Sequence, residues 1–576
     1  MVGRKLTDTI TFHAQTIMTT PASVEWQNTG TFGPEQADLD VAYATSLPPE
    51  ASLAWVEARL ADVQSHLANL GAGRNMLIPI YHLPRIVLVQ IFSWVALSHP
   101  SSKSERDLNR FPPDQTKDLM RISHACKLFR DAALDRQELW VRVNLKYPGL
   151  AKAFLDRSGD KPITVFLYAP RGEGRAVKRR IPLEASTLEL LRPHLTRITN
   201  LDLAFTMHAR HGYDGGNPLG MYMPVLETLQ VRNAWKEGDD VESSESDSPE
   251  VLPPVFSTPN EPYPRLRKIT LIAIDAPWDS SLFNGLTELN LSFQVHEHAP
   301  TLEEFMKVLT QCPGLEKLHL WNSGPKRLPD SPATQYPATK VQLPKLHDLS
   351  IIQDRGRYMD IPLLLSGVSV PPSAKIHIQC DDAVAPVISF PEMFPPEHPF
   401  IAELPKYKIF KHLHSFTFFH FRLIDESGGG SLSFRVNRQN QSVPVAPSIL
   451  DFFKTFGELA QYAEIYPGSD GNRWSEVLKT LPNVESMRLK RELDHGDFVS
   501  ALSTDVCPKL KKLAFEYYSH TADHQSKWLA AVKARAANGV KLEEFNLTFA
   551  QGEEFLTADA VNELKLYTGK FSRQKI

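Results

Sequence analysis

Three histidines, His412, His414 and His420, stand close enough in the chain to bring imidazoles together, because alternate residues of a β-strand share one face. Zinc needs three or four donors from Cys, His or carboxylate, and none of the other types stands at ligand spacing beside these three. No metal site is assigned to them. Arg171, Arg175, Lys178, Arg179 and Arg180 form a basic cluster. It reads as a solvated loop, with a phosphate-reading or nuclear-import patch as the alternative. Ser243, Ser244, Ser246 and Ser248 sit among acidic residues, where phosphorylation would add charge to an already charged segment. The spacings that carry catalysis are missing: no G-x-S-x-G elbow, Walker loop, H-E-x-x-H helix or dinucleotide glycine motif occurs. The expectation is a protein without catalytic residues, cofactor or metal.

The elements that would hold any site must fit an ordinary composition. The 576 residues are 42% hydrophobic and 23% charged, with a net charge of -4. That balance gives no drive toward nucleic acid or an anionic membrane surface. The longest apolar stretch, Ile86 to Leu97, contains Gln90 and Ser93 and is too short to span a bilayer. Four cysteines, Cys126, Cys312, Cys380 and Cys507, none in a Cys-x-x-Cys pair, point to a reducing compartment, so cytoplasm or nucleus is expected.

Residues 1–50 show no sustained periodicity and are expected to be disordered. Over 51–78 the spacing predicts an amphipathic helix: Leu53, Val56, Leu60, Val63, Leu67 and Leu70 step by 3, 4, 3, 4 and 3 until Gly71 and Gly73. Such a stripe packs either on its own chain or on a second copy. Leu83-Pro84 then opens a short helix carrying Val87, Leu88, Ile91 and Phe92 on one side. A second helix carries Ile122, Ala125, Cys126, Phe129 and Ala133, and Leu139-Trp140 closes the unit.

This succession over residues 79–145 resembles the F-box, the helical module by which one subunit of an SCF-type ubiquitin ligase docks onto its Skp-family adaptor. It is similar to the large F-box families of mushroom-forming fungi. The resemblance implies an adaptor-binding surface of Leu83, Pro84, Val87, Leu88, Ile91 and Phe92, with Trp140 supporting the module from behind. Through the adaptor it implies a cullin partner, and no enzymatic activity of the chain itself. Ile86, Phe129 and Gln137 stand where the family usually carries an acid, a Trp and a Pro.

From residue 146 to 576 the pattern Leu-x-x-Leu-x-Leu recurs with apolar substitutions. It is seen at Ile198-Leu201-Leu203, Leu226-Leu229-Val231, Leu266-Ile269-Leu271, Leu286-Leu289-Leu291, Leu315-Leu318-Leu320 and Leu346-Leu349-Ile351. Further copies are Leu413-Phe416-Phe418, Val484-Met487-Leu489, Leu510-Leu513-Phe515 and Leu542-Phe545-Leu547. Pro224, Pro264, Pro313, Pro344, Pro482 and Pro508 precede six of them by two residues, where proline stops a helix and presets entry into a strand. The fold expected is α/β: an F-box-like helical module followed by an irregular leucine-rich-repeat solenoid with parallel strands. Loops are expected to leave it at 237–254, 354–405 and 426–442, the last with a flexible turn at Gly428-Gly429-Gly430 leading into an exposed strand over Ser431 to Val436. Such a chain is expected to recognise a protein client for a ligase. The alternative is a repeat scaffold with no ubiquitin role.

Overall fold

The computed structural model describes residues 34–97, 115–167, 183–205, 216–233, 255–326, 340–353, 361–381, 407–415, 418–425, 429–437, 454, 456–465, 474–490, 496–502, 505–516, 522–549 and 556–575. The protein is mixed α/β with a large, mostly parallel sheet. The chain divides into two units, Met1–Ile91 with Arg121–Ala133, and Phe92–Met120 with Leu134–Ile576. Residues 79–145, expected as one module, are thus shared between both. The basic cluster at 171–180 and the acidic serine segment at 237–254 lie outside the described residues.

The first unit begins with helices α1 (Pro34–Ser46) and α2 (Pro49–Met76), followed by a 3-10 turn at Pro79–His82. Helix α3 (Arg85–Leu97) comes next, then α4 (Gln115–Ala125) and α5 (Lys127–Leu134). Helix α1 lies in the stretch expected to be disordered. What orders it is contact with α2: the Tyr43 and Trp55 rings sit 5.1 Å apart, and Arg59 Nε donates to Asp40 Oδ2 at 2.7 Å. Neither contact leaves a trace in local periodicity. Helix α2 also runs through Gly71 and Gly73, expected to stop it, and ends at Met76. Each glycine costs a helix about 1 kcal/mol relative to Ala, which weakens it without breaking it.

The sheet of the second unit starts with β1 (Arg142–Asn144), α6 (Pro148–Arg157) and β2 (Ile163–Leu167), a strand–helix–strand unit. After α7 (Ala185–Glu189) come β3 (Ile198–Phe205), β4 (Thr228–Asn233), β5 (Lys268–Ile272) and β6 (Glu288–Ser292). Helix α8 (Leu302–Thr310) and β7 (Lys317–Trp321) follow. Among the described residues the short strands β8 (Val341–Gln342) and β10 (Val368–Ser369) pair only with each other, with β9 (Asp348–Gln353) and α9 (Ile361–Ser366) between them in the chain. β11 (Lys375–Asp381) continues the main sheet. From β1 to β7, then β9 and β11, every main-sheet strand pairs in parallel with the next.

The parallel order is interrupted once. β12 (Tyr407–Ser415), β13 (Phe418–Asp425) and β14 (Ser431–Asn437) form an antiparallel meander, with β14 against β11. β12 then leads in parallel to β15 (Tyr462–Ile465), and the parallel series resumes with β16 (Ser486–Lys490), β17 (Lys512–Glu516), β18 (Leu542–Phe549) and β19 (Thr568–Lys575). Four helices accompany this half: α10 (Trp474–Lys479), α11 (Gly496–Leu502), α12 (Ala522–Ala537) and α13 (Ala558–Tyr567).

Three expectations are corrected here. Leu413-Phe416-Phe418 is not one strand, since Leu413 belongs to β12 and Phe418 opens the antiparallel β13. The loop expected at 354–405 contains α9 and β11, and the strand expected to stand exposed after Gly428-Gly429-Gly430 is β14, each strand paired on both edges. Gly430 shows why a glycine run can lead into a sheet. A Cβ there would lie 2.2 Å from the Pro372 carbonyl oxygen, so only glycine lets the chain pass this close.

The repeats are built by one turn used six times. In Met223-Pro224-Val225-Leu226 the first carbonyl accepts from the Leu226 N–H at 3.1 Å. The same bond closes the turns around Pro264, Pro313, Pro344, Pro482 and Pro508. Proline at the second position of such a turn has its φ already set. The next carbonyls accept two N–H groups from the following repeat, as Thr287 does from Glu316 and Lys317. These bonds fix register and stack equivalent side chains: Leu201, Leu229, Ile269, Leu289, Leu318 and Leu349 are in line across the sheet, all buried. Leu513 is buried likewise between Met487 and Phe545. Helix α8 shows the local signals in full. Thr301 Oγ1 accepts from Glu304 N–H, and the Glu304 carboxylate accepts from Thr301 N–H at 2.8 Å. Among the described residues no helix is long and apolar enough to cross a membrane.

Candidate functional site

The residues read as an adaptor surface are distributed by helix geometry. Pro84 opens α3, its carbonyl accepting from Val87 N–H at 2.9 Å and Leu88 N–H at 3.2 Å. Leu83 and Pro84 are exposed, and Val87 and Ile91 are half-buried. Leu88 is buried, as is Phe92 one turn on, so neither offers a side chain to a partner. Ile86, which lies away from Leu88 around the helix, is 61% exposed and was not among the expected residues. Trp94, in the second unit, is 72% exposed and was also missed. Apolar type alone does not separate the two arcs of a helix in which nearly every residue is apolar.

In the first unit, the turn before Leu83 is fixed by Tyr81, whose ring stacks on Phe129 at 5.5 Å. Burial and then the bond to Cys126 push the Tyr81 phenol up to about 12, so it stays protonated. Trp140 in the second unit has no exposed surface. It lies edge-on to Phe154 at 4.8 Å, with the Arg157 guanidinium 4.4 Å from its ring centroid.

A polar constellation lies on the open face of the sheet. In a parallel ladder the residues between buried positions face the other way, and the register lines up His319, Ser350, His377 and Ser433 across β7, β9, β11 and β14. The Ser433 hydroxyl is 3.2 Å from His377 Nδ1 and 2.6 Å from His420 Nε2 of β13. His319 Nε2 is 3.3 Å from Asp348 Oδ2. Of the three histidines weighed for metal binding, His420 thus joins this group, while the side chains of His412 and His414 lie outside the described residues. Among the described residues no group of three or more His, Cys, Asp or Glu is placed to hold a metal ion.

No family model and no curated protein matches this chain. What the constellation can do therefore rests on its own chemistry. Burial holds His420 down to about 4, helped by His377, Arg435 and Arg422. Burial also lowers His377, followed by Arg435. The bond from His319 holds the Asp348 carboxyl below its usual range. Both histidines on Ser433 are therefore neutral at pH 7, each able to donate or accept one bond. A base with a pKa near 4 withdraws little of a serine proton at neutral pH, so the group suits recognition better than nucleophilic attack. The sequence hid it because the four ladder positions come from strands up to 114 residues apart.

These shifts make stability depend on pH. An unfolded histidine takes its proton near pH 6.5, but His420 in place does so only near 4. Between those values the unfolded chain binds the extra proton, so stability falls as pH drops through the window. The Asp348 shift adds its own loss only at the acid end. Melting temperature measured from pH 7 to 4.5 should fall more steeply for wild type than for His420→Gln. Parallel slopes would remove His420 from this role.

Proposed function

We propose that the protein is the substrate-recognition subunit of an SCF-type ubiquitin ligase. The helical stretch 79–145 would dock a Skp-family adaptor and through it a cullin. The sheet, read as an irregular leucine-rich-repeat solenoid, would hold a protein client. One observation carries the reading: the Leu83-Pro84 entry and Ile86 leave an apolar helix start exposed, while Leu88 four residues on is buried to support it. An exposed apolar helix end on a small helical unit is a surface that a partner would cover. The repeated proline turns and the in-line leucines support the solenoid reading, because each repeat buries its apolar face only against its neighbours.

Co-purification with a Skp-family adaptor tests this. The intact chain should retain the adaptor, and Leu83→Ala with Pro84→Ala should weaken binding by about 2–4 kcal/mol, at least roughly thirtyfold. Leu88→Ala should act instead through stability, lowering the melting temperature. An intact chain that captures no adaptor would leave a repeat scaffold with no ubiquitin role as the better reading.

A further inference from the structure

We propose that the α1–α2 hairpin is a self-association surface whose occupant is a second copy of the same hairpin, with the two α2 helices antiparallel. The inference does not depend on the adaptor reading.

The stripe from Leu53 to Leu70 alternates steps of three and four residues, the heptad pattern that keeps one seam of a helix against another along a left-handed supercoil. In place, that seam is open. None of the 28 residues of α2 is buried, and Leu53, Leu60, Leu67 and Leu70 are 62%, 54%, 63% and 50% exposed. Helix α1 covers one flank through the Tyr43–Trp55 and Asp40–Arg59 contacts. Beside those contacts lies a groove of about 220 Å³ whose apolar lining comes from Val41, Ala44, Trp55, Val56, Leu60 and Val63. A groove of this lining accepts leucine side chains from another helix.

The pattern itself names the occupant. Turned end for end, α2 sets Leu53 opposite Leu70 of the second copy, Val56 opposite its Leu67, and Leu60 opposite its Val63. Every seam residue then meets an apolar one. The same arrangement brings Glu50, in the first turn, beside Arg74 of the second copy, in the last turn, at both ends of the pair. The helix dipoles also oppose one another. In a parallel pair Arg74, seven residues after Leu67, would face Arg74 of its partner in the seam. Like charges at that position argue for the antiparallel alignment.

The test is sedimentation equilibrium of the full chain over a roughly hundredfold concentration range, which should give twice the chain mass. Leu60→Lys with Leu67→Lys should weaken association by about 100-fold or more, with unchanged circular dichroism and unchanged melting of the sheet. Arg74→Glu should weaken it too, and Glu50→Arg added to it should restore it, a rescue that loss of folding cannot mimic. For orientation, Leu53→Cys chains mixed with Leu70→Cys chains should cross-link to each other more than either does to itself. A monomer at every concentration, or a dimer indifferent to the paired lysines, overturns the proposal. Preferential cross-linking of Leu53→Cys chains to one another overturns the antiparallel arrangement.

Discussion

Replacing Trp140 by alanine is expected to destabilise the protein by about 3–5 kcal/mol, the range for deleting a large buried aromatic side chain. The indole has no exposed surface, lies edge-on to Phe154 of α6, and is covered by the Arg157 guanidinium. Removing it leaves a cavity at the start of the repeat series and strands a cation that was packed on its ring. Trp140→Phe keeps the edge contact and should cost less. If Trp140 serves adaptor docking only by support, Trp140→Ala should reduce adaptor capture in proportion to the fraction unfolded and no further. Thermal melting and adaptor retention at a temperature well below the melt separate the two. Full stability with lost capture would instead put Trp140 in the contact itself.

Leu318→Ala is expected to cost about 2–5 kcal/mol for a similar reason in a different setting. Leu318 is buried between Leu289 and Leu349, its ladder neighbours on β6 and β9. Its ladder neighbours are themselves buried and close-packed, so relaxation into the gap is limited. His319→Ala, one residue on but facing the other way, should change stability far less. A denaturation series on both variants checks the alternation directly, and equal losses would mean that the register of β7 is misassigned.

Much of this molecule could be read from one dimension because its rules are local. A proline two residues before an apolar position closes the same turn in six repeats, and the turn fixes which face the next leucine takes. Leu318, Leu349 and Leu513 were therefore legible as core, and Leu289 was so from the Leu-x-x-Leu-x-Leu spacing alone. Helix α8 was legible as the stretch Leu302 to Thr310 before the Cys312-Pro313 stop. Other features were fixed only when distant segments met. Helix α1 is held by a ring contact and an ion pair to α2, which no spacing within 34–46 encodes. β11 and β14 lie in stretches that look like insertions, yet they pair with each other across 56 residues of chain, because a short alternating strand is the same in sequence whether its edges are open or filled. Serine hydroxyl and histidine rings converge on the open face only through that pairing. Local chemistry thus determined turns, core positions and the apolar entry to α3 from sequence alone. The tertiary fold alone decided which edges close, which arc of α3 stays exposed, and which polar side chains become neighbours, since those depend on contacts between residues that the chain itself keeps far apart.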